Sequence, residues 1–438
     1  MTPHWIFSPL YSDLLLYIIL GCIAYLIARS YRAPYFKSAW KHLLSHQSAS
    51  TAIIFLICYF GIGCIDSIHF KTSGVNSAQT FSLLDVLLQP FNINHTTTYS
   101  EPLATHLFTP TQSSTADGKI LTLYQPIELK HTAFSHNARL DRLYHALLGS
   151  AVGFFLFSLS YRLTAISRMQ KIPLLTFCML LIIGGTIVSL ATRYHVLGTD
   201  KIGQDIFYTS LKSIRTSLMI GTLTTLCMLP LSIGMGLLAG YKGGLIDDVI
   251  QYVYTTLSAI PGVLFIAASI LVLQVYIESH TTWFPTLEMR ADMRLIALCL
   301  ILGITSWSSL CRFIRAETLK IKELDFIQFA VLSKTKMIRI LWKHILPNVF
   351  HIVIITVVLD FSGLVLAEAV LSYVGVGVDP TTFSFGNMIN SARLELAQVP
   401  IVWWPLTSAL VFMFFLVLAA NLLSDVVRDA LDPRQTIG

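Results

Sequence analysis

Apolar residues in this chain come in long unbroken runs, not in the alternation of a barrel strand. The stretch 401–423, "IVWWPLTSALVFMFFLVLAANLL", carries no charged residue at all. A membrane-spanning helix needs about 20 mostly apolar residues. Nine runs meet that need, near 10–28, 50–69, 143–160, 172–192, 216–240, 249–275, 295–311, 350–371 and 401–423. The third is diluted by Gly149, Gly153 and serines. The pattern predicts an all-α, multi-spanning membrane protein, with the run at the N-terminus retained as a span and not cleaved as a signal peptide.

Composition agrees: 54% of the residues are hydrophobic and 12% charged, against about 25% charged in a soluble protein. The seven cysteines lie in or beside apolar runs without a C-x-x-C pair, so they read as small buried side chains rather than metal ligands or disulfides. The net charge of +6 points to loop orientation, not to nucleic acid.

Alternating the spans leaves two orientations, and Lys and Arg choose between them. With the N-terminus outside, the inner loops hold Arg162, Arg168, Lys171 and Lys242, then a dense group from Arg312 to Lys343. The short outer loops hold fewer. The expected topology is N-out and C-in. One outer loop, 71–142, is long and polar; its His95, His106, His131 and His136 match no metal-ligand spacing. Asn94 opens a glycosylation sequon that has meaning only in a eukaryotic secretory context.

The inner segment Asp325–Asn348, "DFIQFAVLSKTKMIRILWKHILPN", is basic and amphipathic. Asp325 opens a short helix, where a negative charge is favoured. A polar turn, Ser333–Lys336, leads to a second helix whose Ile338, Leu341, Trp342 and Ile345 fall on one stripe, with Lys336, Arg339 and Lys343 on another. Pro347 is expected to end it. From these residues alone the hairpin is either an interfacial element resting on anionic lipid or a docking element for a cytoplasmic protein.

The segment resembles the EAA loop of the inner-membrane permease subunits of ABC importers. Gln328, Phe329 and Ala330 stand at the Glu-Ala-Ala places, Lys334 at the glycine place, and Ile345-Leu346-Pro347 at the end. "LKIKELDF" (Leu319–Phe326) is similar to the L-x-x-K-E-x-x-F run of the dipeptide and oligopeptide branch. So are "LGTDKIGQDIF" (Leu197–Phe207), "LLAGYKGGLIDD" (Leu237–Asp248), "AIPG" (Ala259–Gly262), "LAEAVLSYVGVGV" (Leu366–Val378) and "NLLSDVVRDALDPR" (Asn421–Arg434), in that order.

The resemblance implies a type I (MetI-like) permease core of about five spans. Residues 1–196 would form an extension with about four spans, 197–215 a periplasmic amphipathic segment, 216–424 the permease domain with its inner loop at 312–347, and 425–438 a cytoplasmic tail. It further implies a bacterial inner membrane, a second permease subunit as heterodimeric partner, two ATPase subunits and a periplasmic or lipid-anchored substrate-binding protein. ATP and magnesium would sit on the ATPases, and this chain would bind no cofactor. Asp325, Gln328, Phe329, Ala330, Lys334, Arg339, Lys343, Leu346 and Pro347 would form the ATPase-coupling loop. The substrate class implied is peptide, with nickel or peptide antibiotics carried by relatives of the same branch. Phe329 in place of alanine and Lys334 in place of glycine depart from the pattern.

Asp360 and Glu368 fall inside an apolar run, where a lipid-facing carboxylate costs about 2.5–3.5 kcal/mol. Both are therefore expected to face the interior, lining a translocation path or bonding a neighbouring helix. The chain has no G-x-x-x-x-G-K-[ST], so ATP would be bound elsewhere. A membrane-embedded enzyme lacks a convergent catalytic set here. An ion-coupled secondary transporter using Asp360 is the remaining alternative, without an inverted repeat to support it.

Overall fold

A computed structural model describes residues 5–30, 43, 45–72, 80–89, 98–108, 110–114, 120–124, 126–127, 137–163, 170–280, 282–284 and 286–431. His95, His131, His136, Asn94 and the tail beyond 431 lie outside the described residues. His106 is exposed and pairs with Thr105 at 3.0 Å.

Eight helices are long and apolar enough to cross a membrane among the described residues. They are α2 (Gln47–Asp66), α4 (Ala138–Leu163), α5 (Lys171–Ala191), α6 (Ile206–Lys242), α8 (Gly262–Ser279), α9 (Leu287–Lys322), α11 (Met337–Tyr373) and Trp404–Ala430 within α13 (Trp404–Leu431). A further helix, α1 (Tyr11–Ser30), covers the first predicted run. The remaining helices are α3 (Leu83–Leu88), α7 (Gly244–Ala259), α10 (Asp325–Leu332) and α12 (Phe385–Glu395).

The predicted run 249–275 is two helices. Pro261 forces the preceding residue out of the helical region, and Ile260 sits at φ −82, ψ 130. Residues 206–215 are likewise no separate surface element but the first turns of α6, with Ile206 and Ile214 buried. The glycines that weaken the third run are its packing seam. A Cβ on Gly149 would lie 2.4 Å from the Gly185 carbonyl oxygen, so α4 and α5 touch backbone to backbone, as small residues allow in membranes.

The chain divides into two compact units. The first comprises Met1–Pro9, Ser45–Thr216 and Phe383–Ala419. It holds strands β1 (Trp5–Phe7), β2 (His69–Thr72) and β3 (Thr80–Ser82), an antiparallel sheet in the order β1-β2-β3 with Phe7 opposite Phe70 and His69 opposite Ser82. A separate pair, β4 (Thr111–Ser114) and β5 (Ile120–Leu123), completes its strands. The second unit comprises Leu10–Leu44, Ser217–Thr382 and Ala420–Gly438. Its core joins Met228, Leu237 and Ala239 of α6 to Trp307, Leu310 and Ile314 of α9, and to Ile345, Val349 and Val353 of α11.

Candidate functional site: the inner loop and its clamp

The loop resembling the EAA element belongs to the second unit. Helix α9 runs on to Lys322, so 312–322 is helical, and the chain turns only at Glu323–Leu324. Helix α10 then begins at Asp325, whose carboxylate stands in the positive first turn. Ile327 and Ala330 are the residues of α10 that bury, and they join the core formed by Ile314, Ile321, Ile340 and Ile345. Burial of an isoleucine side chain is worth about 2–3 kcal/mol. The short helix is therefore fixed to the spans. Its other face is open: Phe329 is 71% and Leu332 80% exposed. Gln328 folds back, its Nε2 donating to the Glu323 carbonyl at 3.2 Å.

Helix α10 ends in a turn of defined geometry. The Lys334 N–H donates to the Val331 carbonyl at 2.9 Å, and the Thr335 N–H to the Ala330 carbonyl at 3.1 Å. That pair of bonds is the Schellman cap, whose first residue beyond the cap is left-handed and usually glycine. Lys334 takes that conformation, with φ +53. The family's glycine place is thus a real conformational demand, met here by a lysine at a cost of about 1–2 kcal/mol.

Beyond Lys336 the structure corrects the sequence reading. Pro347 does not end a helix; it lies within α11, just after its third turn, and the helix continues to Tyr373. A proline in an α-helix lacks one N–H and clashes with the carbonyl four residues back. Residues Ile340–Ile345 avoid the clash by winding as a π-turn, and the Leu346 N–H reaches the Leu341 carbonyl. Asn348 Nδ2 also donates to the His344 carbonyl at 2.6 Å. The predicted stripe divides accordingly, with Leu341 and Ile345 buried but Ile338 and Trp342 exposed. Arg339 and Lys343 are exposed beside Trp342, while Leu346 is half-buried and Pro347 exposed.

A clamp that the sequence did not reveal braces this loop. Arg315 of α9 donates through Nε and Nη2 to both carboxylate oxygens of Asp247, in the first turn of α7, at 2.5 and 2.6 Å. Those hydrogen bonds hold the Asp247 carboxyl below the usual carboxylate range. One turn earlier, Arg312 donates to Ser258 Oγ at 3.2 Å and lies 5.2 Å from the Tyr254 ring centroid. Gly240 brings α6 into the same joint, since a Cβ there would lie 2.6 Å from Thr318 Cβ. The only hint in the sequence is an acidic pair, Asp247–Asp248, facing a basic group in another inner loop; it names no partner.

The carboxylates in α11 have different surroundings. Glu368 is fully buried and accepts a hydrogen bond from Ser372 Oγ at 2.7 Å. Asp360 is half-buried and makes no hydrogen bond or ion pair among the described residues. No group of three or more His, Cys, Asp or Glu able to hold a metal ion occurs among the described residues.

Residues 232–437 match the family model described as binding-protein-dependent transport system inner membrane component. The chain is 30% identical over 239 residues to the oligopeptide transport system permease protein OppC of Mycobacterium bovis, a match spanning 55% of this chain and 76% of that protein. The chain belongs to this family. The permease is also 31% identical over 241 residues to the glutathione transport system permease protein GsiD of Pectobacterium atrosepticum, across 55% of this chain and 73% of the relative. With the dipeptide transport system permease protein DppC of Bacillus subtilis it shares 28% over 240 residues, 55% of this chain and 69% of the relative. It is a membrane-embedded permease subunit of an ABC importer of the type I fold, a transport component rather than a member of an enzyme class. An importer of this kind works with a substrate-binding protein and ATPase subunits.

Proposed function

We propose that this permease forms half of the translocation path of a peptide importer, paired with a second permease subunit. Two ATPase subunits, holding ATP and magnesium, would grip α10. The N-terminus lies outside and the inner loop in the cytoplasm, an orientation supported by the excess of Lys and Arg between Arg312 and Lys343. The relatives' names, oligopeptide, dipeptide and glutathione transport, support a short peptide as substrate.

The observation that carries the coupling assignment is the two-sidedness of α10. Ile327 and Ala330 anchor it to α9 and α11, while Phe329 and Leu332 stand in the open. A loop that merely rejoined two spans would gain nothing from exposing large apolar side chains to the cytoplasm. A handle needs both features, a grip for the partner and a stiff root. When the ATPases close around ATP, α10 would move and carry α9 and α11 with it. The clamp between Arg315 and Asp247 would pass that motion to α7 and, through the Ile260–Pro261 joint, to α8.

Within this reading Asp360 lines the path. Glu368, bonded within its own helix, has a structural role near its end. Purification of the assembled complex tests the proposal: ATPase subunits should co-isolate with the wild-type chain, and their weaker retention by Phe329→Ala should be matched by lower ATP-dependent peptide uptake. Proton-coupled uptake by this chain alone would contradict it.

A further inference from the structure

The extension before Leu197 lies outside the family match, yet its larger part, 45–196, shares one compact unit with Leu197–Thr216 and with the family-like segment Phe383–Ala419. Its contacts with them are specific and largely shielded from solvent. Asp85, at the third position of α3 and fixed there by a reciprocal cap with Ser82, accepts hydrogen bonds from Tyr208 Oη at 2.7 Å and Lys212 Nζ at 3.0 Å. The Lys212 side chain is 14% exposed and that of Asp85 15%, and the ammonium lies 5.4 Å from the Tyr208 ring and 5.2 Å from Phe383. Burial, the largest single effect, would raise the Asp85 carboxyl, but the Lys212 charge and the hydrogen bonds from Lys212, Ser82 and Tyr208 together outweigh it and hold the group below its usual range.

Four further contacts lie apart from this pair. Ser100 N donates to Thr199 Oγ1 at 2.8 Å, and Phe108 meets Trp404 edge-on at 5.1 Å. In α2, Phe55 stacks on Phe415 with centroids 5.6 Å apart, and Tyr59 Oη donates to the Phe412 carbonyl at 2.8 Å. Surfaces that part in each cycle are commonly polar and hydrated. Parting these would strip a largely buried lysine of its counter-charge, which is destabilising.

We propose that residues 45–196 of the N-terminal extension form a permanent outer clamp of the permease: this part travels as one body with Leu197–Thr216 and Phe383–Ala419 through the transport cycle, and Asp85 is the positioning residue that holds Lys212 and the outer turns of α6. The clamp rests on the permease assignment, and only its uptake readout rests on the peptide reading.

The test uses the full chain in its complex, with the seven native cysteines changed to serine. Spin labels at Phe55→Cys and Phe415→Cys report the distance across the contact in the ATP-free and vanadate-trapped complexes. The clamp predicts the same distance in both; a change above about 2 Å, the scale of a true rearrangement, overturns it. In parallel, Asp85→Asn should abolish uptake of a labelled tripeptide while ATPase subunits still co-purify, and Asp85→Lys with Lys212→Asp should restore it. Unchanged uptake in Asp85→Asn overturns the positioning role. Should the wild-type complex take up no peptide, the substrate reading fails, while the label distance, which needs only ATP, still judges the clamp.

Discussion

Lys334 and Gly375 occupy the same place in two helix-ending turns of the same design. After α10 the bonds are Lys334 N–H to Val331 and Thr335 N–H to Ala330; after α11 they are Gly375 N–H to Ser372 at 2.9 Å and Val376 N–H to Leu371 at 3.0 Å. Both residues are left-handed, at φ +53 and +88. One turn obeys the preference for glycine and the other pays to defy it. A lysine at such a place puts a positive charge at the exposed tip of the loop, beside the last carbonyls of α10, which favour it.

Lys334→Gly is therefore expected to stabilise the turn by about 1 kcal/mol, and Lys334→Val to destabilise it, since a β-branched residue tolerates positive φ least. Gly375→Val should lower thermal stability further. Differential scanning of the purified permease checks all three.

Phe329 touches little within the chain, so Phe329→Ala should leave the unfolding temperature unchanged. It should weaken ATPase binding by about 2 kcal/mol, the size of an aromatic hot spot. A pull-down titration of the ATPase subunits measures the change.

Arg315→Lys keeps the charge but loses the planar fork that reaches both oxygens of Asp247. ATP hydrolysis should continue while uptake falls. The Asp247 carboxyl is held below its usual range, so the pair's contribution is complete above the ordinary carboxylate range. It disappears only as pH falls through the lowered value. Uptake should thus be insensitive to this pair at neutral and mildly acidic pH.

Glu395 behaves oppositely. Burial first, and the neighbouring Asp200 charge second, raise its carboxyl, with Tyr99 and Lys201 partly offsetting them. A raised acid favours the folded state at low pH and loses that contribution as pH rises through the folded value. Glu395→Gln should raise the unfolding temperature at pH 8 more than at pH 5, read by thermal scans at both.

Asp360→Asn should alter uptake while leaving assembly with the ATPases intact. Loss of the assembled complex would make Asp360 a structural group. Size-exclusion chromatography and vesicle uptake separate the outcomes.

The spans were legible because lipid demands long apolar runs, and no other structure writes them. Their breaks were less so. Pro261 splits a run because Ile260 before it leaves the helical region, yet Pro347 does not, because a π-turn absorbs it. A proline alone does not tell these apart. The strands His69–Thr72 and Thr80–Ser82 leave no mark in the sequence, since strands so short lack a burial pattern strong enough to read. The loop's place and order were readable from motifs. Which of its side chains bury was not, because the π-turn shifts the helical register between Ile338 and Ile345. The bonds of Asp247 to Arg315 and of Asp85 to Lys212 join residues far apart in sequence, and no local pattern encodes them.

Coupling through α10 is tested most directly by a photo-activatable cross-linker attached at Gln328→Cys, in the complex in native membranes. The expected product joins the permease to an ATPase subunit, with a yield that changes between ATP-free and ATP-trapped states. Adducts to lipid alone, in both states, would contradict a coupling role for this helix.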